Sequence, residues 1–115
     1  MSEIEDYKEL INLSAISVGI KGYWIAGFEH LGLCTSEKGY PPKTWWNPLE
    51  DDGDCLRLAT YLGISISMNI TCVSVYTIKF TLAGIFIKES CLDQDTAIAV
   101  RRAVVRVAAE IGRVI

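Results

Sequence analysis

The sequence predicts an α+β fold: a single domain, residues 1–115, built as an α/β/α-type sandwich with an antiparallel sheet and about three helices. Three observations carry this expectation. Apolar residues recur at three- and four-residue spacing in three separate stretches. Between residues 64 and 87 they alternate at every second position instead. The length of 115 residues suits one hydrophobic core that needs no metal or disulfide to hold it.

The first helix is expected over 4–18. Ile4, Tyr7, Leu10, Ile11, Ser14 and Val18 share one face, with Leu13 flanking it, and the first turn is acidic, as the helix dipole favours. Gly19 or Gly22 ends it. Residues 23–34, YWIAGFEHLGLC, suit strand material by their aromatic and aliphatic content, with bends or a bulge at Gly27 and Gly32. Residues 35–43 have loop composition, stiffened by Pro41-Pro42.

A second helix follows TWWNPLEDDGD (44–54) and runs to about Leu62, where Gly63 stops it. Its start has two readings. Asn47 caps it, with Pro48 in the first turn and Glu50 closing a capping box, or Asn47-Pro48 is a turn and Asp51 or Asp52 is the cap. In both, Glu50, Asp51, Asp52 and Asp54 crowd the positive helix end as a solvated acidic run. Leu56, Ala59 and Leu62, with Cys55 and Leu58, form the apolar stripe; Arg57 and Tyr61 lie on another face.

Ile64, Ile66, Met68 and Ile70 then alternate with Ser65, Ser67, Asn69 and Thr71, as in a strand with one buried face. A turn is expected near residues 72–74. Alternation resumes with Tyr76, Ile78, Phe80 and Leu82 on the apolar side. Gly84 is a candidate bulge before Ile85-Phe86-Ile87, and Glu89 to Asp93 reads as a loop. The last helix, capped by Asp93 or Asp95, runs to about Gly112 on a stripe of Ala97, Val100, Val104, Val107, Ala108 and Ile111. Arg102, Arg106 and Arg113 project from the other side, where Arg106 and Glu110 stand four apart as a helical pair. Arg101 lies off that line and faces inward, toward Asp51, Asp52 or Asp54.

Several function classes fall away. A net charge of −3 and a pI near 5.1 argue against binding long nucleic acid. Cys34, Cys55, Cys72 and Cys91 form no Cys-x-x-Cys pair, so zinc is not expected, and they read as mostly buried, reduced thiols. The stretch Asp52-Gly53-Asp54 mimics part of a calcium loop, but Leu58 to Gly63 brings no closing acid. The acidic N-terminus has no apolar signal core, and the longest apolar run, Leu82 to Ile87, is far too short for a bilayer. His30 stands alone, without a nucleophile pattern, and no glycine-rich phosphate loop or metalloprotease motif occurs. The expectation is a non-enzymatic protein of the cytoplasm, with no cofactor and no membrane partner.

Two blocks bear a family likeness. Trp46-Asn47-Pro48-Leu49, Asp51-Asp52-Gly53-Asp54, Leu56-Arg57-Leu58-Ala59 and Leu62-Gly63-Ile64 resemble the central signature of the phage ABA-sandwich domain proteins. The stretch Ala97, Arg101-Arg102-Ala103-Val104-Val105-Arg106 and Ala108-Ala109-Glu110-Ile111-Gly112-Arg113 resembles their C-terminal helix. Cys55 departs from the alanine common there, and residues 20–45 and 70–92 match nothing in that pattern. The resemblance implies a small protein of a bacteriophage or prophage, acting in the bacterial host's cytoplasm, with helices packed on a sheet. It implies no established chemistry.

Two functions are expected on these grounds. One is sequestration of a nucleotide-derived host defence signal, with Tyr40, Trp45 or Trp46 stacking a base and Arg57, Arg102 or Arg106 on phosphate. Trp45 and Trp46 adjoin, so they point opposite ways on an extended chain, one into the core and one out. The other is a protein-interaction module that blocks a host protein or serves phage assembly, using an apolar patch around Tyr76, Phe80, Ile85 and Phe86. Both include association of the chain with itself.

Overall fold

Local rules account for the helices. The computed structural model describes residues 3–36, 44–77, 84–92 and 94–115. Helix α1 spans Glu3–Val18, α2 spans Asp52–Leu62 and α3 spans Thr96–Val114. The second reading of the α2 start holds: Asp51 is extended and its carboxylate accepts from the Asp54 N–H at 2.8 Å, while Asn47-Pro48 forms the preceding turn. Gly63 closes α2 in the left-handed region (φ 64°). Its N–H and that of Ile64 cap the carbonyls of Thr60 and Ala59, at 3.3 and 3.0 Å. Asp95 caps α3 through Ala97 N–H at 2.8 Å.

The strands depart more from expectation. β1 (Leu33–Cys34) and β2 (Trp45–Trp46) make a short antiparallel pair, joined on its far side by a bridge from Tyr23 to Cys34. The rest of residues 23–34 is therefore not strand, and Glu29–Leu31 is a single 3-10 turn. β3 (Ser65–Met68), β4 (Cys72–Thr77) and β5 (Ile85–Ser90) form an antiparallel sheet in that order. The turn between β3 and β4 comes earlier than residues 72–74. The Asn69 side-chain oxygen accepts from Thr71 N–H, Thr71 hydroxyl and Cys72 N–H at 2.8–2.9 Å, closing a turn that needs no glycine.

That shift reverses the faces of β4. Val73, Val75 and Thr77 are buried, and Tyr76 faces out. Thr77 is tolerated inside because its hydroxyl donates to the Leu62 carbonyl at 3.1 Å. Ile78, Phe80 and Leu82 lie outside the described residues. β5 continues through Glu89 and Ser90, so the expected loop starts later, and Glu89 is buried.

Helix α3 lies between the sheet and α1, contacting all three strands and both other helices. The α+β class, three helices and antiparallel pairing follow the sequence; the layers run sheet, α3 with α2 beside it, then α1. Burial of α3 is accordingly wider than one stripe. Ala99, Ala103, Val105, Ala109 and Gly112 join Val104, Val107, Ala108 and Ile111 inside, whereas Ala97 is exposed and Val100 half-buried. Between the two ends of the helix, a line of Ile98, Arg102, Arg106, Glu110 and Arg113 keeps contact with solvent, with Val100 and Arg101 partly covered beside it. α1 packs on α3 through Ile11, Ser14 and Ala15, the last two small enough for close approach; the hydroxyls of Ser14 and Ser17 donate back to helix carbonyls.

All four cysteines are free thiols; Cys34 and Cys55 are buried, Cys72 and Cys91 half-buried. Burial pushes the Cys55 thiol up to about 11, with Arg101 opposing and Asp52 adding to the rise. The neutral thiol is the folded form, and the unfolded chain releases its proton first. Stability is therefore unaffected by this group below about pH 9 and falls as pH rises toward 11. Cys55→Ser is expected to flatten that part of the stability–pH curve in urea melts, and an unchanged slope counts against the assignment. No helix of the described residues is long and apolar enough to cross a membrane.

Candidate functional site

The tryptophan–proline–acid stretch is a docking device. Trp46 is 7% exposed and sits in the core, while Trp45 is half-buried, stacked on Phe28 with ring centroids 6.2 Å apart. Adjacent residues on an extended strand point to opposite sides, so this division is what the pair was expected to show. Asn47 is buried and fully used. Its side-chain amide donates to the Tyr7 hydroxyl and to the His30 carbonyl (3.1 Å), its oxygen accepts from Leu49 N–H, and its own N–H reaches Asp54 Oδ2 at 2.9 Å. Asp54 is only 8% exposed, which corrects the reading of a wholly solvated acidic run; its other oxygen takes Arg57 Nη2 at 2.7 Å. The Tyr7 phenol is raised above its ordinary value mainly by burial.

Arg101 is the inward arginine. Its Nε donates to the Leu49 carbonyl at 2.9 Å and its Nη1 to Asp52 at 2.6 Å, tying α3 to the turn that launches α2. The two blocks that carry the family likeness are thus joined in space.

The six residues expected to hold a ligand do not meet. Tyr40 lies outside the described residues. Trp46 offers no free ring face, Arg57 is held by Asp54 near the start of α2, and Arg102 and Arg106 lie against β5. No hydrogen bond or ion pair links the tryptophans to the arginines among the described residues. Arg106 pairs with Glu89 rather than with Glu110, which pairs with Arg113 instead.

Two other places have the makings of a site. The first is a groove between α2, β3 and α3. Leu56, Ile66, Met68, Ala97 and Val100 line it, and the Asp52–Arg101 pair closes one end. Leu56 is 65% and Met68 61% exposed, although both were expected on buried faces. Met68 and Ile66 stand opposite Val73 and Val75 and share their face, but β3 is an edge strand and the helical layer does not cover it fully. Ile70, beyond the strand, is 92% exposed. Leu56 lies outside the 55–58–59–62 set that α2 buries; that offset was the signal available in the sequence.

The second is at the opposite edge. Glu89 accepts from Arg106 Nη1, from Arg102 Nε at 3.4 Å and from Gln94 Nε2 at 3.5 Å. Beside it lies a polar depression lined by Glu89, Ser90, Gln94 and Arg102. Glu89 and Ser90 were missed because they read as loop. The period-two continuation from Ile85 and Ile87 to Glu89, facing an arginine pair four apart on the last helix, was the usable hint. Among the described residues, no group of three or more His, Cys, Asp or Glu side chains is placed to hold a metal ion.

No family model, curated protein or solved structure matches this chain. The likeness to the phage ABA-sandwich proteins rests on the two sequence blocks alone.

Proposed function

We propose that this protein is a non-enzymatic interaction module that takes up an extended, apolar segment of a partner protein along β3. The observation that carries the reading is an edge strand that, among the described residues, has no neighbour on its outer side and lies beside an open apolar groove. β3, Ser65-Ile66-Ser67-Met68, has no charge and no proline, the usual protections of a free edge. A strand added there gains backbone hydrogen bonds from β3 and sets every second side chain over Leu56, Ile66 and Met68. In keeping with the sequence resemblance, the setting is a phage or prophage protein in the host cytoplasm, and the partner is a host or phage protein. The exposed cross-strand pair of Tyr76 and Phe86 makes a separate apolar patch on the sheet's outer face, while Ile85 is half-buried and Phe80 lies outside the described residues.

The test is affinity capture from host lysate followed by measured binding of the captured partner. Leu56→Glu and Met68→Lys are expected to weaken that binding by at least about tenfold while the melting temperature stays within about 2 °C, because both side chains are exposed. Wild-type affinity in both variants sinks the reading. Light scattering that shows a dimer lost in the same variants makes the occupant a second copy.

Sequestration of a nucleotide-derived signal is the second reading. The arginine pair on Glu89 favours it; the separation of that pair from both tryptophans weighs against a single stacking-and-phosphate pocket. Calorimetry with cyclic dinucleotides and ADP-ribose derivatives tests it, and absence of heat with all of them removes it.

A further inference from the structure

We propose that Arg102, Arg106 and Ser90 form a binding site for a phosphate group at the β5 edge of the sheet. It is independent of partner uptake along β3, and it draws on the nucleotide reading only for the identity of the molecule that carries the phosphate.

The argument begins with charge. Two guanidinium groups converge on one carboxylate, so the Arg102–Glu89–Arg106 trio carries an excess positive charge in a chain whose net charge is −3. Glu89 is buried and its oxygens are already taken by Arg106, Arg102 and Gln94. It anchors the arginines and leaves their outer donors unspent. Arg102 engages Glu89 through Nε alone, and among the described residues its two Nη groups have no hydrogen-bond partner. Those groups form a planar fork suited to two oxygens of an anion.

Two polar residues share the depression with Arg102 and differ in what they have left to donate. Ser90 Oγ accepts from Leu92 N–H at 3.1 Å, which leaves its own hydroxyl proton to donate. Gln94 spends its amide hydrogens on the Ser90 carbonyl (2.7 Å) and on Glu89, so it fixes the rim. The depression is lined by Glu89, Ser90, Gln94 and Arg102 and is polar and open; with the Glu89 oxygens already taken, it suits a terminal phosphate whose remaining part stays in solvent. A guanidinium fork plus a hydroxyl serves three acceptor oxygens, one more than a carboxylate has.

Inorganic phosphate, adenosine monophosphate and acetate are titrated into the protein at low ionic strength and followed by amide chemical shifts. Phosphate and the nucleotide are expected to give saturable shifts concentrated in residues 89–94 and 101–106, with acetate at least about tenfold weaker. Arg102→Ala is expected to weaken phosphate at least about tenfold and Ser90→Ala a few-fold, whereas Arg113→Ala leaves it unchanged. Arg102 and Arg113 are both about half exposed, so both variants fold. The absence of saturable shifts overturns the proposal, as does equal loss in Arg102→Ala and Arg113→Ala, which is diffuse attraction of anions. Saturation by phosphate with no gain from the nucleoside leaves this site standing and removes adenosine as a recognised part of its ligand.

Discussion

Gly112→Ala lowers the melting temperature by about 10 °C or more. In an ordinary helix interior this substitution is stabilising by about 1 kcal/mol, because alanine has the higher helix propensity. Here a Cβ on residue 112 would lie 2.8 Å from the Leu13 carbonyl carbon of α1 and closer still to its oxygen. The obstacle is backbone, which no side-chain rotation removes. Relief requires α1 and α3 to move apart, and their contact, with Ile11, Ser14, Ala15, Ala108 and Ile111 buried around it, is the broadest between elements among the described residues. Parting them opens voids along that whole interface, so the cost is about 3 kcal/mol or more and exceeds the propensity gain. In a domain of this size that amounts to roughly 10–15 °C. A thermal melt checks it; an unchanged or raised midpoint means the helices are not in such close contact.

Asn47→Asp is expected to cost about 3 kcal/mol at neutral pH, with a deficit that shrinks as pH falls. The replacement is nearly isosteric, so packing is not the cause. It removes both amide hydrogens, now donated to the Tyr7 hydroxyl and the His30 carbonyl, and sets a carboxylate oxygen against the His30 carbonyl, an acceptor against an acceptor. It also adds a carboxylate whose own N–H is already engaged by buried Asp54. Burial and these neighbours raise the folded-state pKa of the new carboxyl above its unfolded value. Between the two values the unfolded chain holds fewer protons than the folded one, so stability returns as pH drops through the folded value. Chemical denaturation of both proteins across the acid range checks it. A deficit independent of pH shows that the lost donors, and not the new charge, carry the whole effect.

Much of the launch of α2 was written locally. Asp51 as cap, Pro48 in the turn and Gly63 as terminator are recognisable because each acts within four residues of itself. The Arg101–Asp52 tie was legible too, since Arg101 lies off the line of the other α3 arginines. The β region was less so. A turn made by the side chain of Asn69 has weaker punctuation than glycine or proline, and misplacing it exchanged the faces of β4. The extension of β5 to Ser90 was hidden because Glu89 looks like a loop residue until two arginines from a distant helix are set against it.

The sequence by itself determined the three helices, a short set of candidate caps for two of them, the division of the tryptophan pair and the presence of alternating strands, because capping, dipole and periodicity are short-range effects of neighbours along the chain. Only the tertiary structure decided that α3 is wrapped on nearly every side, that Leu56 and Met68 border an open groove, and that Arg102 and Arg106 share one carboxylate. Which face of an element is covered depends on what packs over it from far along the chain, and a residue's own pattern carries no record of that.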